Sequence, residues 1–191
     1  MMPEFQEMDA CVIVKHTNPC GVAIDESQEG AWANALSSDP ESAFGCVIAF
    51  SKKVTKSTAE VIGDHFLECI IAPDYDEEAI EILSSKKNRR ILSLSTMAPR
   101  RPSTVMKQIQ GGWLAQTQGP PEIDWNSAEN VTKKQLTDSD NLLAKFGTSV
   151  ISDVKSNAIL LVSSSQTGFA TVGIGPGQTS RVEAVRIAAR R

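Results

Sequence analysis

With 191 residues, 41% of them apolar and 22% charged, the chain suits one ordinary domain or two small ones and lies outside the disordered class. Its net charge of −4 argues against a nucleic-acid binder, which carries a basic excess. No apolar run approaches the roughly 18 residues needed to span a bilayer, and the acid-bearing stretch 1–10 does not read as a signal peptide.

In chain order, the apolar run 11–14 stops abruptly at Lys15-His16 and reads as a buried strand. Residues 17–21, Thr-Asn-Pro-Cys-Gly, are turn chemistry. A helix over 31–36 must stop before Asp39-Pro40, because the residue before proline is pushed out of helical backbone. A strand over 46–50, a helix over 58–66 and a strand over 68–72 follow. A helix over 76–84 carries acids in its first turn, where the helix dipole favours them. A strand over 90–94 closes this half. Strands alternating with helices predict an α/β layer fold with mostly parallel pairing. The basic cluster Lys86-Lys87-Asn88-Arg89-Arg90 follows an acidic run and reads as a solvated helix end.

The stretch 95–135, rich in proline and lacking a regular period, reads as an irregular connector with one hairpin around Gly111-Gly112. Beyond it, a helix over 137–150, strands over 158–162 and 170–174 and a helix over 181–191 predict the start of a second α/β subdomain. The expected divisions are therefore 1–94, 95–135 and 136–191. Cys11, Cys20, Cys46 and Cys69 form no Cys-x-x-Cys pair, and only two histidines are present. Zinc site and disulfide framework are both disfavoured; buried thiols in a reducing cytosol are the plain reading.

Four segments carry chemistry, each at the boundary of an expected strand, and open α/β sheets bind ligands at the carboxyl ends of strands. Lys15-His16 offers a cation for a developing oxyanion beside a group that can move a proton; alone, the pair reads better as an exposed Lys and a capped His beside a tight turn. Phe44-Gly45 lets backbone approach a flat ligand, or is core and turn. Asn157 can donate to and accept from an amide or formyl group, or cap a turn. The stretch 173–181, Gly-Ile-Gly-Pro-Gly-Gln-Thr-Ser-Arg, runs from strand to helix; its amides could cradle an anion and Arg181 could add a charge-assisted contact. It matches neither dinucleotide nor P-loop glycine patterns.

Taken together, in order, Val14–Ala23 with its Lys-His-Thr-Asn-Pro-Cys-Gly core, 39–45, 154–159 and 172–181 resemble successive blocks of the AICAR formyltransferase domain of the bifunctional purine-biosynthesis enzymes. Ile70-Ile71-Ala72-Pro73 and Gly111-Gly112-Trp113-Leu114 are similar to further family segments, and the resemblance covers roughly residues 9–191. It implies cytidine-deaminase-like α/β/α layers without the deaminase zinc. It implies formyl transfer from 10-formyltetrahydrofolate to the 5-amino group of AICAR, at a site on a homodimer interface. By matching position, Lys15 would stabilise the formyl oxyanion, His16 would assist proton transfer and Asn157 would orient the reacting groups. Phe44 and Gly45 would contact the base, and Arg181 would help hold substrate. The stretch around Val154 resembles one that binds potassium through oxygens in some members.

The family pattern also includes an earlier phosphate-binding segment, a later acidic residue near Phe-Pro-Phe and a cyclohydrolase domain, none of which occurs in these residues. That leads to the expectation of weak nucleotide binding and no turnover by this stretch alone. Cys46 and Pro176 stand where many relatives carry Gly and Ala; Pro176 removes one amide donor from its loop. The competing reading is a non-catalytic relic that folds and binds nucleotide or a partner copy.

Overall fold

The computed structural model describes residues 2–5, 7–95, 102–119 and 123–190. Seven strands form one sheet: β1 (Asp9–Val14), β2 (Pro19–Asp25), β3 (Cys46–Phe50), β4 (Leu67–Ala72), β5 (Arg90–Ser93), β8 (Ile159–Ser164) and β9 (Phe169–Gly175). Their spatial order is β5-β4-β3-β1-β2-β9-β8. Among the described residues five α-helices accompany them: α1 (Gln28–Ser38), α2 (Lys56–Ile62), α3 (Glu77–Ser84), α4 (Asp138–Ile151) and α5 (Arg181–Arg190). The α/β layering expected from the sequence is what the chain adopts.

Pairing follows the connections. β3, β4 and β5 are joined through α2 and α3 and pair in parallel, as helical crossovers require. The short links between β1 and β2 and between β8 and β9 make hairpins, so both pairs are antiparallel. β1 is also antiparallel to β3, and β2 to β9. Parallel pairing is thus confined to one wing. The turn expected to run to Gly21 ends sooner: the chain re-enters the sheet at Pro19, and every residue of β2 is buried.

The central strands are covered on both faces. On one, Cys11, Ile13, Ile48, Phe50 and Ile70 pack with Trp32 and Ala35 of α1, Ile62 of α2 and Leu83 of α3. On the other, Val12, Val22 and Ile24 pack with Phe146 and Val150 of α4 and with Met2 and Phe5 of a short N-terminal 3-10 helix. Phe146 sits 5.7 Å from the Phe5 ring and 6.0 Å from Phe169. A capping box between Thr137 and Asp140 starts α4. All four cysteines are buried thiols, with no disulfide among them.

Strands on both sides of the expected connector share this sheet, because β9 docks against β2. Parts of the connector, 96–101 and 120–122, lie outside the described residues. Between them, β6 (Ser103–Ile109) and β7 (Gly112–Gln118) make the hairpin expected around Gly111-Gly112, with Gly111 at φ 84° in its turn. Every residue of both strands is exposed, Trp113 and Leu114 included.

Close backbone approach fixes the helices on the sheet. A Cβ at Gly21 would collide with the Ala35 carbonyl of α1, and one at Gly173 with the Ala188 carbonyl of α5. Overpacking of this kind costs about 1–3 kcal/mol. Gly173→Ala is therefore expected to lower the unfolding free energy by about that amount, whereas Gly112→Ala, with open space around it, leaves it nearly unchanged; denaturant melts of the two variants check this.

Burial, reinforced by neighbouring Cys20, pushes the Cys46 thiol from its ordinary 9.0 up to about 11, with Lys15 opposing. Cys11 is raised in the same direction by burial. A folded value above the unfolded one means full stability below pH 9 and a loss as pH rises from about 9 to about 11, on the order of 2 kcal/mol for Cys46. Stability measured across that window should fall, and Cys46→Ala should make the fall shallower.

Candidate active site

Four loops meet at one edge of the sheet. β1 and β9 finish there, while β2, β3 and β8 begin there, as their antiparallel registers dictate. Lys15 and Gly175–Arg181 thus lie at carboxyl ends of strands, as expected. Phe44-Gly45 and Asn157 lie at amino ends, before β3 and β8. Antiparallel pairing brings all four to the same edge.

The Lys15–Asn18 turn closes on a hydrogen bond from the Lys15 backbone N–H to the Asn18 carbonyl, 3.0 Å. Thr17 sits at φ 68°, left-handed backbone that a β-branched residue rarely adopts. Lys15 is half-buried and its Nζ donates to the Phe44 carbonyl at 2.6 Å, tying the first two segments together. The His16 side chain is exposed. Gly45, at φ 71°, donates its N–H to the Phe66 carbonyl at 2.8 Å. The Phe44 ring is 62% exposed and lies 5.0 Å from the Phe66 ring, so it presents a face to solvent rather than filling the core. His65 Nε2 is 3.1 Å from the Ala43 carbonyl, its ring edge-on to Trp32. Arg89, a member of the basic cluster expected to be solvated, is buried; its guanidinium donates to the carbonyls of His65 (2.9 Å), Leu83 (3.4 Å) and Gly63 (3.5 Å).

Asn157 is committed on one side. Its Nδ2 donates to the carbonyls of Gln178 at 3.0 Å and Thr179 at 3.2 Å, and its backbone exchanges hydrogen bonds with Gln178. The amide group therefore offers its Oδ1 as an acceptor rather than both functions, which narrows the sequence expectation. Gly177, at φ 67°, donates to the Lys155 carbonyl at 2.6 Å. The alternate glycines also divide their tasks: Gly177 needs its left-handed backbone, whereas Gly173 and Gly175 lie in β9 and let α5 approach at Ala188 and Ala184. The anion-cradle reading thus narrows to the N–H groups of Thr179 and Ser180, since Pro176 has none and those of Gly177 and Gln178 are given to the Lys155 and Asn157 carbonyls. Arg181 opens α5 with an exposed side chain.

Between these loops lies a cleft of about 110 Å³ lined by Lys15, Asn18, Cys20, Asp39, Ser42 and Pro176. Asn18 and Asp39 were missed in the sequence, where Asn-Pro and Asp-Pro signal only turns. A larger hollow of about 560 Å³ lies between Trp125 and α4, with Lys145 Nζ 5.9 Å from the Trp125 ring centre. None of the sequence-predicted residues lines it, whereas Lys15 lines the small cleft. Among the described residues no group of three or more His, Cys, Asp or Glu side chains could hold a metal ion. Nor is any described helix long and apolar enough to cross a membrane.

Comparison with known proteins bears on the family of the chain. The family described as the AICARFT/IMPCHase bienzyme matches residues 1–191. Similar relatives include bifunctional purine biosynthesis protein PurH of Prochlorococcus marinus strain MIT 9515, 44% identical over 95% of this chain and 35% of its own length. PurH of Persephonella marina is 40% identical over 100% of this chain and 36% of its own length. PurH of Cereibacter sphaeroides strain ATCC 17029 is 43% identical, again over 100% and 36%. The chain spans about a third of the length of these relatives. With its whole length matched by the family and its Lys-His, Phe-Gly, Asn and Gly-Pro-Gly segments gathered at one sheet edge, the chain belongs to the AICARFT/IMPCHase bienzyme family.

Proposed function

We propose that this chain supplies part of an AICAR formyltransferase site, which moves the formyl group of 10-formyltetrahydrofolate to the 5-amino group of AICAR in purine biosynthesis. The observation that carries the reading is the convergence of the Lys15-His16 turn, the Phe44-Gly45 loop and the Asn157–Gln178 contact at one edge. The rest of the site, on this reading, comes from other parts of the full-length protein and from a second copy in a cytoplasmic homodimer.

The chemistry explains why these groups are wanted. The AICAR amine is a weak nucleophile, since its lone pair is drawn into the ring and the adjacent carboxamide. As its nitrogen bonds to the formyl carbon it must lose a proton, while the formyl oxygen gains negative charge; collapse then expels the folate nitrogen, which takes up a proton. His16, exposed at the edge, is free to turn toward the amine and accept the proton. The Lys15 ammonium meets the oxyanion, its Phe44 contact holding it at the mouth of the cleft. The Asn157 Oδ1 accepts from an N–H of the substrate, since its own NH2 group is occupied. Phe44 stacks on the base, the Gly45 backbone allows close approach, and Arg181 holds an anionic part of the substrate.

A potassium ion, on this reading, would be held by backbone carbonyl oxygens of the stretch 152–154, just past the C-terminus of α4, the donors a hard cation requires.

In the full-length protein, His16→Ala is expected to lower kcat by roughly 10²–10⁴-fold without unfolding the protein. Lys15→Ala is expected to cost a comparable factor through the lost oxyanion partner. Steady-state formyl transfer with circular dichroism as the folding control checks both; a His16→Ala enzyme of wild-type activity would overturn the role given to His16. A protein that binds AICAR yet turns over nothing in its wild-type form would instead support the non-catalytic reading.

A further inference from the structure

Among the described residues, the Lys15–Asn18 turn and the segment leading to Asn157 are far apart in sequence and meet at the Asn18 side chain. Asn18 Oδ1 accepts a hydrogen bond from the Lys155 backbone N–H at 3.3 Å, across 137 positions. The same residue's carbonyl accepts from the Lys15 N–H at 3.0 Å. Lys155 in turn accepts the Gly177 N–H through its carbonyl, and Gln178 holds Asn157. Asn18 is therefore the joint between the loop that presents Lys15 and His16 and the two loops that fix Asn157.

Two further features single it out. Thr17, immediately before it, holds left-handed backbone at φ 68°, which its branched side chain disfavours. Such a conformation persists only where surrounding contacts over-determine it, and the bonds made by Asn18 are the ones that close this turn. Asn18 also lines the cleft beside Lys15, half-buried, so it lies at the site rather than in the core.

We infer that Asn18 is a positioning residue, setting the register of the Lys15-His16 pair against Asn157 through its side-chain oxygen. This rests on the formyl-transfer reading, because Lys15, His16 and Asn157 are the groups it aligns. What Asn18 contributes is an acceptor of the right reach, not charge and not a donor. Misalignment by about 1 Å can cost up to roughly a hundredfold in rate while substrate contacts made elsewhere persist. The expected signature is a fall in kcat with little change in KM.

The test uses the full-length protein and two variants of similar shape. Asn18→Leu keeps the size and removes the acceptor; Asn18→Asp keeps the acceptor. The first is expected to lower kcat roughly tenfold to a hundredfold at nearly constant KM for AICAR, and to shift the Lys155 amide proton resonance. The second should retain most of kcat and a Lys155 resonance close to that of the wild type. Equal losses in the two variants, a kcat unchanged in Asn18→Leu, or a Lys155 resonance indifferent to both would each overturn the proposal. Failure of the underlying reading is recognised separately, because the wild-type protein would then transfer no formyl group; the Lys155 resonance still decides whether Asn18 joins the two loops.

Discussion

The four loops meet because β1 and β9 run against their neighbours. In an all-parallel sheet, residues just before β3 and β8 would lie at the opposite edge from those just after β1 and β9. The β1–β2 and β8–β9 hairpins reverse the chain, so Phe44-Gly45 and Asn157, which precede strands, face Lys15 and Gly175–Arg181, which follow them. The Lys15 ammonium on the Phe44 carbonyl and the Asn157 amide on the Gln178 and Thr179 carbonyls record that meeting in hydrogen bonds.

Holding the four loops in register requires the layers around them to be close and stiff. At three places a strand glycine touches a helix carbonyl: Gly21 under Ala35, Gly173 under Ala188 and Gly175 under Ala184. Two of these three lie just before the Pro176–Gln178 loop. The position of α5, and with it Arg181, is thus set by the packing of β9 itself. On the parallel wing, Arg89 gathers carbonyls at the C-terminal ends of α2 and α3. Those helix ends carry partial negative charge, which offsets the cost of burying the guanidinium. The same clamp steadies His65 and Phe66, on which the Ala43–Gly45 loop rests.

Much of this was legible in the residues. Apolar runs at Cys11, Cys46, Ile70 and Ala170 announced their strands, and Gly111-Gly112 announced the hairpin. The order of the Lys-His, Phe-Gly, Asn and Gly-Pro-Gly blocks announced the family. What the sequence did not disclose was orientation. Pro19 and Gly21 are turn residues by local propensity, yet tertiary packing buries both β2 faces and makes them strand. Without β2 the β1–β2 hairpin is invisible, and with it the reversal that assembles the site. The basic run at Lys86–Arg90 reads as solvated because charge rarely enters a core; only the meeting of two helix ends makes a pocket for Arg89. Asn18 likewise reads as a turn former, since its partner at Lys155 is remote in sequence.

The account stands or falls on whether substrate binds where the four loops converge. The most direct measurement is amide hydrogen exchange of the full-length protein with and without AICAR. Added protection is expected together in residues 15–21, 43–46, 155–158 and 175–181, with the far edge around Asp25 and Thr167 unchanged. Protection confined to that far edge, or to the hollow between Trp125 and Lys145, would contradict it.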